Sequence, residues 1–230
     1  MQQHLDTAER FVAARYPEAT TAIVAGSTAR GERTATSDID LLLIGETLFD
    51  GAKESEASTH EFEGEVFEVF AYTPKGFETW AERGVAQHRP VVVHMLVEGI
   101  PIRADDGFDA LRRRWATVVA TGPLLDTAEA ALRRYMISDL VDDLRDAVDP
   151  LERRVVASTL FERIAELMLL SEGRWIGTGK WLPRRLRELD PARAERLTDP
   201  LLADDYAAFA DRAEEELTRA GGRVQAGFVR

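Results

Sequence analysis

The chain of 230 residues contains no cysteine. Disulfides, thiolate zinc sites and cysteine nucleophiles are thereby excluded. Lysine is scarce: Lys53, Lys75 and Lys180 stand against 26 arginines. The four histidines, His4, His60, His88 and His94, do not fall at the tight spacing of a metal-ligand cluster and read as surface or half-buried side chains. No apolar run approaches the ~18 residues of a membrane span, so a membrane is not an expected partner. The opening Met1-Gln2-Gln3-His4-Leu5-Asp6 lacks the basic stretch and apolar core of a secretory signal, and a cytoplasmic location is the expectation. No internal repeat or low-complexity tract is visible.

Positive charge is also short. Lys+Arg number 29 against 41 Asp+Glu, a net charge of −12. Residues 1–108 carry nine of the cations and nineteen of the acids, so most of the imbalance lies in the N-terminal half. Such a surface argues against a groove for nucleic-acid backbone and favours a cationic acceptor molecule. With 45% hydrophobic and 30% charged residues the composition is that of a soluble globular protein, long enough for one large domain or two small ones.

The most informative stretch begins at an apolar run, Ala22-Ile23-Val24-Ala25. It leads into Gly26-Ser27-Thr28-Ala29-Arg30-Gly31, then a polar loop, then Ser37-Asp38-Ile39-Asp40-Leu41-Leu42-Leu43-Ile44. A strand therefore feeds a small-residue turn, and a second strand carries two aspartates at its start. Residues i and i+2 of a strand face the same way, so Asp38 and Asp40 converge while Ile39 points to the opposite face. Paired carboxylates form a hard-oxygen site of the type that suits Mg²⁺. The Gly-Ser turn offers backbone N–H groups and a hydroxyl to phosphate oxygens.

Gly-Ser, then Arg-Gly, then Asp-Ile-Asp-Leu on the next strand resembles the nucleotidyltransferase superfamily that shares the DNA polymerase β-like fold. The resemblance spans roughly residues 20–45. It implies that Gly26 and Ser27 hold the triphosphate, with Arg30 and Ser37 beside them, and that Asp38 and Asp40 bind metal. It also implies a third carboxylate on the neighbouring strand. The candidate is Glu68, inside Phe67-Glu68-Val69-Phe70, because a carboxylate among apolar neighbours needs a partner or a metal. Glu65 is the alternative, since a one-residue slip in register exchanges the faces.

Along the rest of the chain, apolar spacing predicts a helix over 5–15, stopped by Pro17. Strands are expected at about 20–25, 39–45 and 65–72, with a hairpin turn or bulge at Gly64. Residues 46–60 read as a polar loop. Thr73-Pro74 opens a helix to about Gln87, with Thr73 as N-cap and Pro74 at the first helical position. Residues 90–97 are a buried segment, helix or strand, and 99–103 a short edge strand before the turn Asp105-Asp106-Gly107. From 108 onward the pattern is helical. Asp126, Asp149, Asp190 and Asp199 each read as a helix start, the last three followed by proline. Leu132, Met136, Leu140 and Leu144 form one apolar stripe, and Ile164, Leu167, Met168 and Leu170 the facing one. The tail from Gly221 to Arg230 reads as a loose or short closing segment. The expected fold is α+β: a small mixed sheet with flanking helices in a catalytic domain, 1–107, followed by an all-helical bundle, 108–230.

In the helical half, Gly177-Thr178-Gly179-Lys180 is not a phosphate loop, because the first glycine is misplaced and Trp181 stands where Ser or Thr is required. The resemblance to antibiotic-modifying nucleotidyltransferases implies instead that Lys180 meets the triphosphate. A surface lysine beside two core tryptophans, Trp175 and Trp181, is the competing reading. Asp139 and Asp143 share a helix face and are candidates for a cationic acceptor, or else part of a solvated charged face. Asp142 and Asp146 look exposed. Together these readings predict a Mg²⁺-dependent, two-metal transfer of AMP from ATP, or of another nucleotide, to a hydroxyl of a small acceptor such as an aminoglycoside, an activity associated with antibiotic resistance. The alternatives are an antitoxin-type enzyme that nucleotidylates a partner protein, and a nucleotide-binding module without turnover, for which Glu68 would point away from the aspartates.

Overall fold

A computed structural model describes residues 1–226, which divide into two compact units, Met1–Thr121 and a second that begins at Gly122. In the first unit, helix α1 (Gln2–Arg15) precedes β1 (Thr21–Val24), the short α2 (Gly26–Arg30) and β2 (Ile39–Ile44). Then come β3 (Ser55–Phe62), β4 (Glu65–Tyr72), α3 (Pro74–Ala86), α4 (Val91–Glu98), β5 (Ile100–Arg103) and α5 (Phe108–Thr121). The strands form one mixed sheet of order β3-β4-β2-β1-β5. β2 and β4 run parallel, and the other neighbours are antiparallel.

Because β2 and β4 are interior strands, their side chains meet protein on both faces. On one face Ile39, Leu41, Leu43, Phe67, Val69 and Ala71 pack with Phe11 and Val12 of α1. On the other, Leu42, Ile44 and Tyr72 pack with Phe77 of α3, Leu96 of α4 and Trp115 of α5. A strand covered on both sides reads as a nearly continuous apolar run, which is the pattern of residues 41–44. Asp40 and Glu68 alternate onto the α3–α5 face, at the strand end that these helices leave partly open.

Residues 55–60, expected within a loop, belong to the edge strand β3. Ser55, Glu56, Ser58, Thr59 and Glu61 give it little of the β-branched apolar signature, because an edge strand with one partner buries little. It is held by the β4 ladder and by Tyr16, whose hydroxyl lies 3.0 Å from His60 Nε2. The hairpin turns at Glu63 and Gly64, both at positive φ (50° and 78°), the backbone of a two-residue primed turn. Residues 91–98 resolve as helix. Helix α5 belongs with the first compact unit, which extends to Thr121. Phe108, Leu111, Trp115 and Val118 give α5 an apolar face that joins the sheet's core.

The second unit is an all-helical bundle: α6 (Thr127–Asp146), α7 (Pro150–Ser171), α8 (Trp181–Leu189), α9 (Pro191–Leu202) and α10 (Tyr206–Arg219). Side-chain caps start three of these as expected: Asp126 accepts from Glu129 N at 2.8 Å, Asp149 from Leu151 N at 2.9 Å, and Asp190 from Arg193 N at 3.0 Å. Asp199-Pro200 does not start a helix; Pro200 lies inside the last turn of α9, where a missing N–H costs one terminal bond, and Asp205 caps α10 instead. The α6 stripe is also rotated from expectation. Ile137, Val141 and Leu144 are buried, whereas Leu132 and Met136 are exposed. An i+4 repeat turns by about 40° per step around a helix of 3.6 residues per turn, so the ends of that stripe diverge. The facing residues of α7, Ile164, Leu167, Met168 and Leu170, are buried as expected. Of the expected loose tail, Arg223 is tied down by Asp142, by Glu214 and by the Ser138 carbonyl, and residues 227–230 lie outside the described residues. Asp142 is thereby an ion-pair partner rather than an open surface acid.

Candidate metal and nucleotide site

Parallel pairing of β2 with β4 sets Asp40 directly opposite Glu68. Asp38 stands just ahead of β2, two residues before Asp40, and its carboxylate converges on that of Asp40. One oxygen from each of Asp38, Asp40 and Glu68 lies within 4.8 Å of the others, and each residue is half-buried. Glu68, the sequence's first choice, joins the aspartates. Glu65, the alternative, instead pairs with Arg33 at 2.7 Å and with His4 at 3.0 Å.

Burial first, and then the charge of Asp38, hold the Glu68 carboxyl above its ordinary range. Three like charges crowded together call for a counter-charge. An all-oxygen donor set is what a hard divalent cation takes, so these residues fit Mg²⁺.

The candidate phosphate turn from Gly26 to Gly31 is built against the same carboxylates. Gly26 has φ +63°, and a Cβ placed on it would lie 1.6 Å from Asp40 Oδ2. Glycine therefore both permits the left-handed backbone and lets Asp40 approach. Helix α2 leaves this turn from Ala25, whose N–H donates to the Asp40 carbonyl at 2.8 Å. The first N–H groups of a helix lack intrahelical acceptors, and here they belong to Gly26, Ser27 and Thr28.

The other predicted residues are distributed as follows. Ser27 is half-buried in α2. Arg30 is exposed, with Nε 3.2 Å from Glu32. The Ser37 hydroxyl closes its own loop by accepting from Thr34 N at 2.9 Å. Lys180, Asp139 and Asp143 belong to the second unit and are exposed there; Lys180 is the N-cap residue of α8. Trp175 is buried.

Arg33 and Thr28 escaped the sequence reading. Thr28 is buried, and Arg33 donates to its hydroxyl at 2.9 Å. A lone arginine in a polar loop has no spacing signal that separates it from a solvated one.

Residues 5–88 match the nucleotidyltransferase domain family. Among solved structures, the chain is similar to a nucleotidyltransferase-like protein from Exiguobacterium sibiricum, with a TM-score of 0.50 at 15% identity, over 94% of this chain and 75% of that one. At that identity the likeness is one of fold. No curated protein matches the chain.

Proposed function

We propose that this chain, whose residues 5–88 match the nucleotidyltransferase domain family, moves AMP from ATP to a hydroxyl of a small cationic acceptor with release of pyrophosphate, an aminoglycoside being the representative acceptor class. The observation that carries this reading is the convergence of Asp38, Asp40 and Glu68 beside the Gly26 turn. Mg²⁺ held by these carboxylates would neutralise charge on the transferring phosphoryl group.

The chain's own groups supply the rest. Backbone N–H groups of Gly26, Ser27 and Thr28 and the Ser27 hydroxyl bind phosphate oxygens, and Arg30 adds positive charge nearby. Ser37 supports this turn through its loop. Lys180 is a further candidate phosphate ligand on its chemistry. Glu68 takes the proton of the acceptor hydroxyl, a task suited to a carboxylate whose proton affinity is raised. Catalysis then consists of positioning and charge stabilisation. The acidic N-terminal half supports a cationic acceptor; exposed Asp139 and Asp143 are candidates to bind its amines. A module without turnover would be expected to turn Glu68 away, and its place in the carboxylate cluster favours the catalytic reading.

The test is transfer of the labelled α-phosphate of ATP to a panel of aminoglycosides with Mg²⁺. Wild type is compared with Asp38→Asn and Asp40→Asn. Transfer by wild type and its loss in both variants is expected; equal activity in all three overturns the assignment.

A further inference from the structure

Between α2 and β2 the chain runs through a loop without regular structure, residues 31–38, yet this loop delivers Asp38 to the metal site. Something other than a sheet ladder must fix its end. One guanidinium makes four hydrogen bonds there. Arg33 Nη1 donates to Thr28 Oγ1 at 2.9 Å and to the Asp38 carbonyl at 3.2 Å. Its Nη2 donates to the Ser37 carbonyl at 2.9 Å and to Glu65 Oε2 at 2.7 Å. Thr28 belongs to α2, the helix of the phosphate turn, and Glu65 opens β4, the strand that carries Glu68.

We infer that Arg33, with Glu65 as its counter-ion, is a positioning residue for nucleotidyl transfer: it sets the Asp38 main chain relative to the phosphate turn and to the Glu68 strand. The proposal rests on the nucleotidyl-transfer reading above. The planar guanidinium is suited to this role, because its fixed fork reaches four acceptors on three elements at once. A lysine ammonium keeps the charge but cannot span them. The pair is mostly shielded, with side chains 19% and 23% exposed, so solvent competes little for these bonds. The other oxygen of Glu65 lies 3.0 Å from His4 Nδ1 of α1. Arg33 touches only the backbone of Asp38 among the carboxylate residues, so it acts through geometry and not as a ligand.

The test measures Mn²⁺ affinity by isothermal titration calorimetry on the full chain, together with kcat and KM for ATP. Wild type is compared with Arg33→Lys, Arg33→Gln and Glu65→Gln. Arg10→Gln is the control, because Arg10 pairs with Glu63 at 2.5 Å on an exposed part of the same unit. Loss of an outer partner of a metal site costs about 10–100-fold in affinity or activity, and that weakening of Mn²⁺ binding with a parallel fall in kcat is expected for Arg33→Lys and Arg33→Gln. Glu65→Gln should shift in the same direction by less, since Arg33 keeps its three neutral acceptors. Unchanged Mn²⁺ affinity and kcat in Arg33→Lys overturns the inference, as does an equal loss in Arg10→Gln. Where Arg33→Gln fails to fold, Arg33→Lys and Glu65→Gln decide. A wild-type protein that binds no Mn²⁺ defeats the underlying transfer reading itself, a result distinct from an unaffected Arg33 variant.

Discussion

Gly26 and Asp40 share one small volume: the carboxylate of Asp40 fills the space where a side chain at position 26 would begin, with Oδ2 only 1.6 Å from that point. The two halves of the candidate site, the Gly26 turn and the Asp40 carboxylate, are thus in direct steric register. Gly26→Ala should carry two penalties. A non-glycine residue at φ +63° costs about 1–2 kcal/mol, and Asp40 must also move. Urea denaturation should show the stability loss. Mn²⁺ titration should show weakened binding, and unchanged affinity would mean that Asp40 is not a ligand.

The carboxylate cluster predicts a metal-dependent stability. Mg²⁺ that binds the folded state alone raises the thermal midpoint with rising concentration. Asp38→Asn and Asp40→Asn should each abolish that shift, and each should lower transfer by more than about a hundredfold, since even outer partners of a metal site cost about 10–100-fold. Without metal these variants should be no less stable than wild type, because each removes one of three crowded like charges. A drop in metal-free stability on either substitution would contradict this account of the site.

Asp190 should contribute a pH dependence in the helical unit. The backbone N–H of Arg193 holds its carboxyl below the ordinary 3.8. A folded pKa below the unfolded one means that the unfolded chain binds more protons. The stabilisation is then present above the unfolded value and is lost as pH falls through the folded one. Asp190→Asn retains a side-chain cap but removes the charge. The urea midpoint of that variant should therefore fall less steeply on acidification than that of wild type; identical acid profiles would count against the cap as the source.

Thr73→Ala tests a cap remote from the carboxylates. The Thr73 hydroxyl accepts from Gly76 N at 3.0 Å and starts α3, whose Phe77 and Ala81 join the sheet core. Its loss should cost about 1 kcal/mol. Mn²⁺ affinity should stay at the wild-type value, and a change there would show that α3 is coupled to the site.

What was readable in the chain were the features that depend on neighbours in sequence. Asp38 and Asp40 stand two apart at the head of an apolar run, the spacing from which their convergence was expected. Thr73, Asp126, Asp149 and Asp190 cap helices because a side-chain oxygen reaches an N–H two or three residues on. Residues 65–72 announce β4 through Val66, Phe67, Val69, Phe70 and Tyr72, and the interior run of β2 follows from burial on both faces. The polar edge strand β3 did not announce itself, because the partner that makes it a strand lies in β4. The buried face of α6 was likewise hidden: a stripe spaced by four drifts around the helix, and packing against α7 and α10 selects Ile137, Val141 and Leu144.

The sequence by itself determined the candidate site, since glycine, serine and two aspartates two residues apart are a local pattern. Only the tertiary structure decided between Glu68 and Glu65, because that choice is a matter of register between two strands distant in sequence. It also turned Arg33 from an unremarkable loop residue into the point where α2, the start of β2 and the start of β4 meet. A guanidinium's partners are set by which backbones fold around it, and no spacing along the chain encodes that.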